Sequence, residues 1–292
     1  MRSLQKIGGQ LILLMLCLGS VSGFAQKYTE TISREYRNFP MLLVANVSGH
    51  INIQGYQGDK IVMEVKEMLN GKGEYDIETL KKEVVLTEIE QGDSLIIYIK
   101  GLGNCFCQDG KNYGWNSRYR YNFNDWDHDF DYNFDFTLKV PVNTSLDLST
   151  INNGDIEVRN SSGDLNIKNV NGGIFLHDVS GSTKARTING DVLIDYAHNP
   201  TKNSKYYTLN GDIKANFQKN LDAVVSFKSF NGELFTNIND LVYLPIKVEK
   251  SEIENGKGVS YKIGGKSEIK IRNGGLYLDF ETFNGDVIVK EI

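Results

Sequence analysis

Hydrophobic residues in the second half of the chain recur at every other position in short runs: Ile156 and Val158, Leu165 and Ile167, Ile174 and Leu176, Val192 and Ile194, Leu276 and Leu278, Val287 and Val289. Polar residues mostly fill the places between, the period of half-buried β-strands. The runs are separated by Asn-Gly or Ser-Gly at Gly154, Gly163, Gly172, Gly181 and Gly190, each nine residues after the last. The beat then lengthens to 21 residues through Gly211 and Gly232 and returns at Gly274 and Gly285. A stricter string, Thr/Ser-apolar-Asn-Gly-Asp/Glu, stands at 187–191, 208–212, 229–233 and 282–286. The only helical pattern is Ile77 to Val84, a short surface helix.

Repetition at 18 to 21 residues predicts one coil of chain per repeat, stacked on its neighbours. The expected fold is an all-β solenoid, or β-helix, of short strands turned at Asn-Gly corners. Residues 137 to 292 would form about seven coils of roughly 20 residues, with strands about 4.8 Å apart. Asn and Gly tolerate positive φ, so Gly154, Gly163, Gly172, Gly190, Gly211, Gly232 and Gly285 are the expected corner residues. An antiparallel sandwich with Asn-Gly hairpins is the competing arrangement. It has no reason to repeat the same five-residue string at equivalent strand starts. Upstream, Ser48-Gly49-His50-Ile51-Asn52-Ile53 carries the same unit, and Ser94 to Lys100 and Asp135 to Val140 supply further strands. One domain is expected over 26–292, with an insertion at about 101–134.

Phe136-Thr137-Leu138-Lys139-Val140-Pro141-Val142, followed by Leu146-Asp147-Leu148-Ser149-Thr150-Ile151-Asn152-Asn153-Gly154-Asp155-Ile156, resembles the putative-adhesin family of bacterial β-strand-repeat proteins, a domain of unknown function. Val47 to Ile51 and Gly55 to Asp59 are similar to the opening of that family's pattern. The resemblance covers most of the chain after residue 25. It implies a surface or periplasmic β-solenoid and carries no catalytic residues. The long aromatic insertion is not part of the pattern.

The N-terminus changes the picture of where the chain works. Arg2 and Lys6 precede the apolar run Ile12 to Leu18, and small residues lead to a cut after Ala25. This is the layout of a cleaved signal peptide over 1–25. The run is shorter than a membrane span, and Leu16 before Cys17 does not suit a lipobox. No later segment is apolar for long enough to be transmembrane. Export is expected to the periplasm, the outer-membrane surface or the extracellular space. Cleavage removes two basic residues and no acid, moving the formal net charge from −5 to −7, which argues against nucleic acid as a partner. An envelope polymer or a protein partner suits such a chain better. Cys105 and Cys107 stay in the mature chain, either as a disulfide closing a strained ring or as two free thiols.

Between Phe106 and Phe136 lie eleven of the 31 aromatic residues, both tryptophans and six aspartates. Asp125, Asp127, Asp129 and Asp131 alternate with rings, so a strand here would be acidic on one face and aromatic on the other. Two functional readings arise: a calcium site on the four aspartates, and a carbohydrate or partner contact at Trp115 and Trp126. The plain reading is an edge strand whose charges block aggregation. Calcium in the repeats themselves would need an acid in each turn, and Gly173 and Ser182 stand in that place, so Asp155, Asp191 and Asp212 are expected to satisfy backbone donors or face solvent. The four histidines, His50, His128, His177 and His198, share no motif, and no nucleophile elbow or HExxH is present. The expectation is a non-catalytic envelope scaffold or adhesin without a cofactor. The alternatives are a carbohydrate-binding module and a polysaccharide-active β-helix enzyme.

Overall fold

The computed structural model describes residues 26–71, 76–101, 106–109, 112–115, 130–245, 248–252, 259–263 and 265–292; the expected signal segment, residues 1–25, lies outside them. Two long sheets dominate, one of ten strands and one of eleven. Each coil places one strand in the eleven-stranded sheet, turns an Asn-Gly corner, and places its next strand in the ten-stranded sheet. Ser145–Ser149 leads to Ile156–Ser161, Leu165–Lys168 to Ile174–Val179, Thr183–Arg186 to Val192–Tyr196, and Ser204–Asn210 to Ile213–Phe217. Equivalent strands of successive coils pair in parallel, Ile156 on Ile174 on Val192 on Ile213 in one sheet and Leu146 on Leu165 on Thr183 in the other. Parallel pairing excludes the hairpin sandwich, whose neighbouring strands would run antiparallel.

The alternating positions read from the sequence face inward. Ile156, Val158, Ile174, Leu176, Val192, Ile213, Ala215 and Val287 are all 0% exposed. Burying each large aliphatic side chain contributes about 1.5 to 3 kcal/mol, which is realised only when the coils on both sides cover it. Midway along the rod the interior switches to rings. Tyr196 stacks on Phe217 at 4.9 Å and Tyr206 on Phe280 at 4.5 Å, and the two phenol oxygens meet at 2.7 Å, so neither polar tip is left dry and unpaired. Burial pushes both phenols upward in pKa.

The coils do not stack in chain order. The last one, Leu276–Asn284 with Val287–Glu291, sits between the coil of Ser204–Phe217 and that of Ala223–Lys228 with Leu234–Thr236. The opposite end repeats the device. Met41–Ala45 with Ile51–Tyr56 is the first coil in sequence, but it lies inside an outer layer made by Ser94–Lys100 and Phe130–Pro141. Among the described residues, the region expected to hold about seven coils holds six two-strand coils. The chain of 237–275 is used instead for Leu241–Leu244 and Ser267–Ile271, which pair antiparallel. Antiparallel strands also close the other end, Gln26–Arg37 on Lys60–Gly71 and Val85–Gln91 on Ser94–Lys100. The short helix forms at Ile77–Glu83, capped by the Asp76 carboxylate accepting from the Thr79 amide at 2.8 Å and anchored by fully buried Leu80.

Candidate functional site

Four of the five positions of the corner string, all but the apolar one, have a structural task in joining coils. The threonines Thr150, Thr187, Thr208 and Thr282 are buried, and their hydroxyls donate to the carbonyls of Gly49, Gly172, Gly190 and Gly211 in the adjacent coil, at 2.8 to 3.2 Å. The asparagines form one continuous ladder. Asn171 donates to Asn152, Asn189 to Asn171, Asn210 to Asn189, Asn284 to Asn210 and Asn231 to Asn284, all at 2.8 to 2.9 Å. The acids accept backbone N–H groups of the next coil, Asp155 from Gly173 at 2.7 Å, Asp191 from Asp212 at 2.9 Å and Asp212 from Asp286 at 3.0 Å. Where His50 takes the acid's place, its Nδ1 accepts from the Asp155 amide at 3.0 Å. The corner carboxylates are thus engaged by backbone donors, as the sequence suggested for Asp155, Asp191 and Asp212.

The reason for glycine differs from the expected one. A β-carbon on Gly154 would lie 2.0 Å from the Gly49 carbonyl oxygen, on Gly172 2.1 Å from that of Gly154, and on Gly232 1.9 Å from that of Gly285. Among the expected corners only Gly190, Gly211 and Gly285 also have positive φ, at 154°, 149° and 147°. Close approach of stacked backbones is therefore the general requirement, and turn conformation an added one at three corners. The nine-residue beat resolves into two separate edges. Gly154, Gly172, Gly190, Gly211, Gly285 and Gly232 stack along one, while Gly163 and Gly181 stack on each other along the opposite one.

With the corners committed to holding coils together, chemistry is left to the outward faces. On the eleven-stranded sheet, outward positions align across coils: Lys168 beside Arg186 beside Tyr207, and Lys184 beside Lys205. They line a groove of about 410 Å³ together with Glu281. Among the described residues Lys168, Lys184 and Arg186 form no ion pair with a carboxylate, while the Arg186 guanidinium lies 4.5 Å from the centre of the Tyr207 ring. The bordering acids are already engaged: Asp279 contacts Lys266 at 2.6 Å and Lys205 at 3.5 Å, and Glu281 contacts Lys228 at 2.9 Å. Burial works against ionisation of Asp279, yet the Lys266 hydrogen bond holds its pKa below the usual range. The sequence reading missed this cluster. Its signal was present in the residues two places apart on successive strands, legible only once the coils are aligned at the right register.

The other expected sites fall differently. Asp125, Asp127, Asp129, Trp126 and Cys105 lie outside the described residues. Cys107 and Trp115 belong to a small antiparallel pair, Phe106–Asp109 on Asn112–Trp115, whose backbone alone is described. Asp131 is exposed at the start of Phe130–Pro141. That strand begins within the expected insertion and runs between Lys60–Gly71 and Ile51–Tyr56, so its described part is an interior strand and not the sheet edge expected from its charges. The alternation itself holds there, with Phe134 and Phe136 fully buried and Asp131 on the opposite side. Among the described residues no three His, Cys, Asp or Glu side chains converge as metal ligands, and no helix is long and apolar enough to cross a membrane, which says nothing of β-barrels. His177 hydrogen-bonds Asp195 at 2.9 Å on the outer face of the ten-stranded sheet.

No curated protein matches the chain. Among solved structures it is similar to a putative cell adhesion protein from Clostridium sporogenes, with 11% identity, 90% of this chain and 100% of the other covered, and a TM-score of 0.42. It is also similar to a putative adhesin from Bacteroides fragilis, with 13% identity, 90% and 97% coverage and a TM-score of 0.34. A putative lipid binding protein from Parabacteroides distasonis aligns with 12% identity, 90% and 96% coverage and a TM-score of 0.27. A family model, Toastrack DUF4097, matches residues 9–275 of the 292, and the chain belongs to that family, a domain of unknown function with a β-solenoid-like fold.

Proposed function

We propose that the chain is an exported, non-catalytic scaffold of the cell envelope that presents its sheet faces to an envelope polymer or a protein partner. One observation carries this reading. Residues that repeat from coil to coil, Thr, Asn, Gly and Asp, are consumed in joining coils, whereas outward positions change along the stack, from Asp147 to Asn166, Lys184, Lys205 and Asp279 along one row. A fold that repeats its frame and varies its face is built to display a surface. The N-terminal layout of Arg2, Lys6, the apolar run and the cut after Ala25 supports export.

The test is expression of the full chain in a Gram-negative host, with N-terminal sequencing of the product and protease treatment of intact cells and of spheroplasts. A mature N-terminus at Gln26 and cleavage outside the cytoplasm are expected. A chain that keeps Met1 and stays cytoplasmic would overturn the reading. The acidic residues Asp125, Asp127, Asp129 and Asp131 are proposed as a calcium site within this scaffold, with Trp115 and Trp126 as carbohydrate or partner contacts. Calorimetric titration with calcium should show saturable binding that disappears when residues 102–129 are replaced by a short Gly-Ser linker; no heat would remove calcium from the account.

A further inference from the structure

Stacked coils give the eleven-stranded sheet a feature that its stability does not require. Lys184 and Lys205 stand at paired positions on neighbouring strands, and Lys168 and Arg186 stand at the next pair two residues along. Paired positions on neighbouring strands are about 4.8 Å apart and positions two residues apart along a strand about 6.7 Å, so four cations occupy a small area of one face. Like charges directly opposite on a sheet destabilise it. The chain as a whole is acidic, with a formal net charge of −5, so a basic cluster is not a by-product of composition. One carboxylate, Glu281, lines the same groove, and it is drawn away by Lys228 at 2.9 Å and Lys266 at 3.5 Å. Lys205 is shared with Asp279 at 3.5 Å, so the groove of about 410 Å³ concentrates positive charge that the protein itself leaves uncompensated at Lys168, Lys184 and Arg186.

The shape of the cluster favours a repeating anion over a single one, because the charges are spread along two rows and do not converge on a point. At one margin the Arg186 guanidinium carbon lies 4.5 Å from the centre of the half-buried Tyr207 ring. Side by side on the sheet, the guanidinium and the phenol offer a weakly hydrated platform suited to the apolar side of a pyranose ring, and the guanidinium fork can bind a carboxylate in bidentate fashion. A bare phosphate chain would use the cations and gain nothing from the platform.

We infer that this groove binds an acidic polysaccharide of the uronate type, its carboxylates on Lys168, Lys184, Lys205 and Arg186 and one sugar ring against the Arg186–Tyr207 platform. The inference rests on the reading of the chain as a surface-displaying scaffold and names the ligand class of one face. Export is read in cells and binding on purified protein, so either can fail without the other.

The experiment is calorimetric titration of the purified mature chain with hexagalacturonate at low salt, repeated with inorganic polyphosphate and with a neutral hexasaccharide. Hexagalacturonate should bind, the neutral sugar should not, and raising the salt should weaken binding. The double substitution K184Q/R186Q should weaken hexagalacturonate at least tenfold, and Y207A should weaken it at least fivefold while leaving polyphosphate unchanged. K214Q, on the other sheet, should change neither, and unaltered melting of the variants would show that they fold. Absence of hexagalacturonate binding, binding indifferent to K184Q/R186Q, or tight polyphosphate binding without hexagalacturonate binding would each overturn the proposal, the last in favour of a phosphate polymer.

Discussion

Gly211 meets its neighbour more closely than any side chain allows: an added β-carbon would stand 2.2 Å from the Gly190 carbonyl oxygen, at a φ of 149°. Gly211→Val should therefore cost about 1 to 3 kcal/mol, as overpacked or conformationally strained sites do. Gly265 has open space around it, and Gly265→Ala should change stability by no more than about 0.5 kcal/mol. Chemical denaturation of both variants separates a packing requirement of the ladder from a general intolerance of substitution; equal stability would refute the ladder. Thr208 tests the adjacent link. Its buried hydroxyl donates to the Gly190 carbonyl at 2.8 Å, and Thr208→Val keeps the shape while leaving that carbonyl without this donor, an expected loss of about 1 to 2 kcal/mol in the same assay.

An element of this fold is a coil, and its strands are held by neighbours distant in sequence. The final strand, Val287–Glu291, shows how. Glu291 takes a two-point contact from Arg272, at 2.6 and 2.8 Å, and also accepts the Leu221 amide at 2.9 Å. The Arg272 hydrogen bond holds the Glu291 carboxyl below its ordinary pKa, outweighing its partial burial. A depressed carboxylate contributes stability that is fully present above its unfolded value, about 4.5, and is lost as pH falls through the lower folded value. The melting temperature should accordingly drop on acidification below about pH 4.5, and Glu291→Gln should flatten part of that drop while being less stable than the parent at pH 7. Parallel melting curves for the two proteins at every pH would show that the pair is not a linkage site.

Across the whole molecule, the first and last coils in sequence are both tucked inside their ends of the stack. Leu276–Glu291 supplies the strand pairing, among the described residues, that lies between the coil of Ser204–Phe217 and that of Ala223–Thr236. Removing residues 276–292 takes strand partners from both. Stability in a stacked array is a sum of nearest-neighbour terms, so the loss should propagate from that gap while distant coils persist. Hydrogen exchange on the truncated chain should show protection lost across Leu234–Thr236, whose strand partner among the described residues is Val287–Glu291, and retained across 145–179. Retained protection at Leu234–Thr236 would mean that the coils stack in chain order after all.

Much of this protein is legible in the chain itself, because the information is local. The alternation of Val192 and Ile194, the corner string at 187–191 and the helix at Ile77–Glu83 depend on residues close together in the chain, and period and capping read them directly. An all-β repeat with Asn-Gly corners and strands buried on one side follows from the amino-acid order without further help. The order of the coils does not, since parallel pairing between Ile213 and Val287, or between Ile51 and Phe136, joins segments whose separation carries no local mark. The acids and rings of 125–132 stand out in the sequence because they are adjacent there. The basic groove escapes notice because Lys168, Lys184, Arg186, Lys205 and Tyr207 belong to three strands and converge only when coil register is fixed. Periodicity is a one-dimensional property and determines which side of a strand is buried; which outward side chains become neighbours is decided by inter-coil hydrogen bonding, and that exists only in the folded chain.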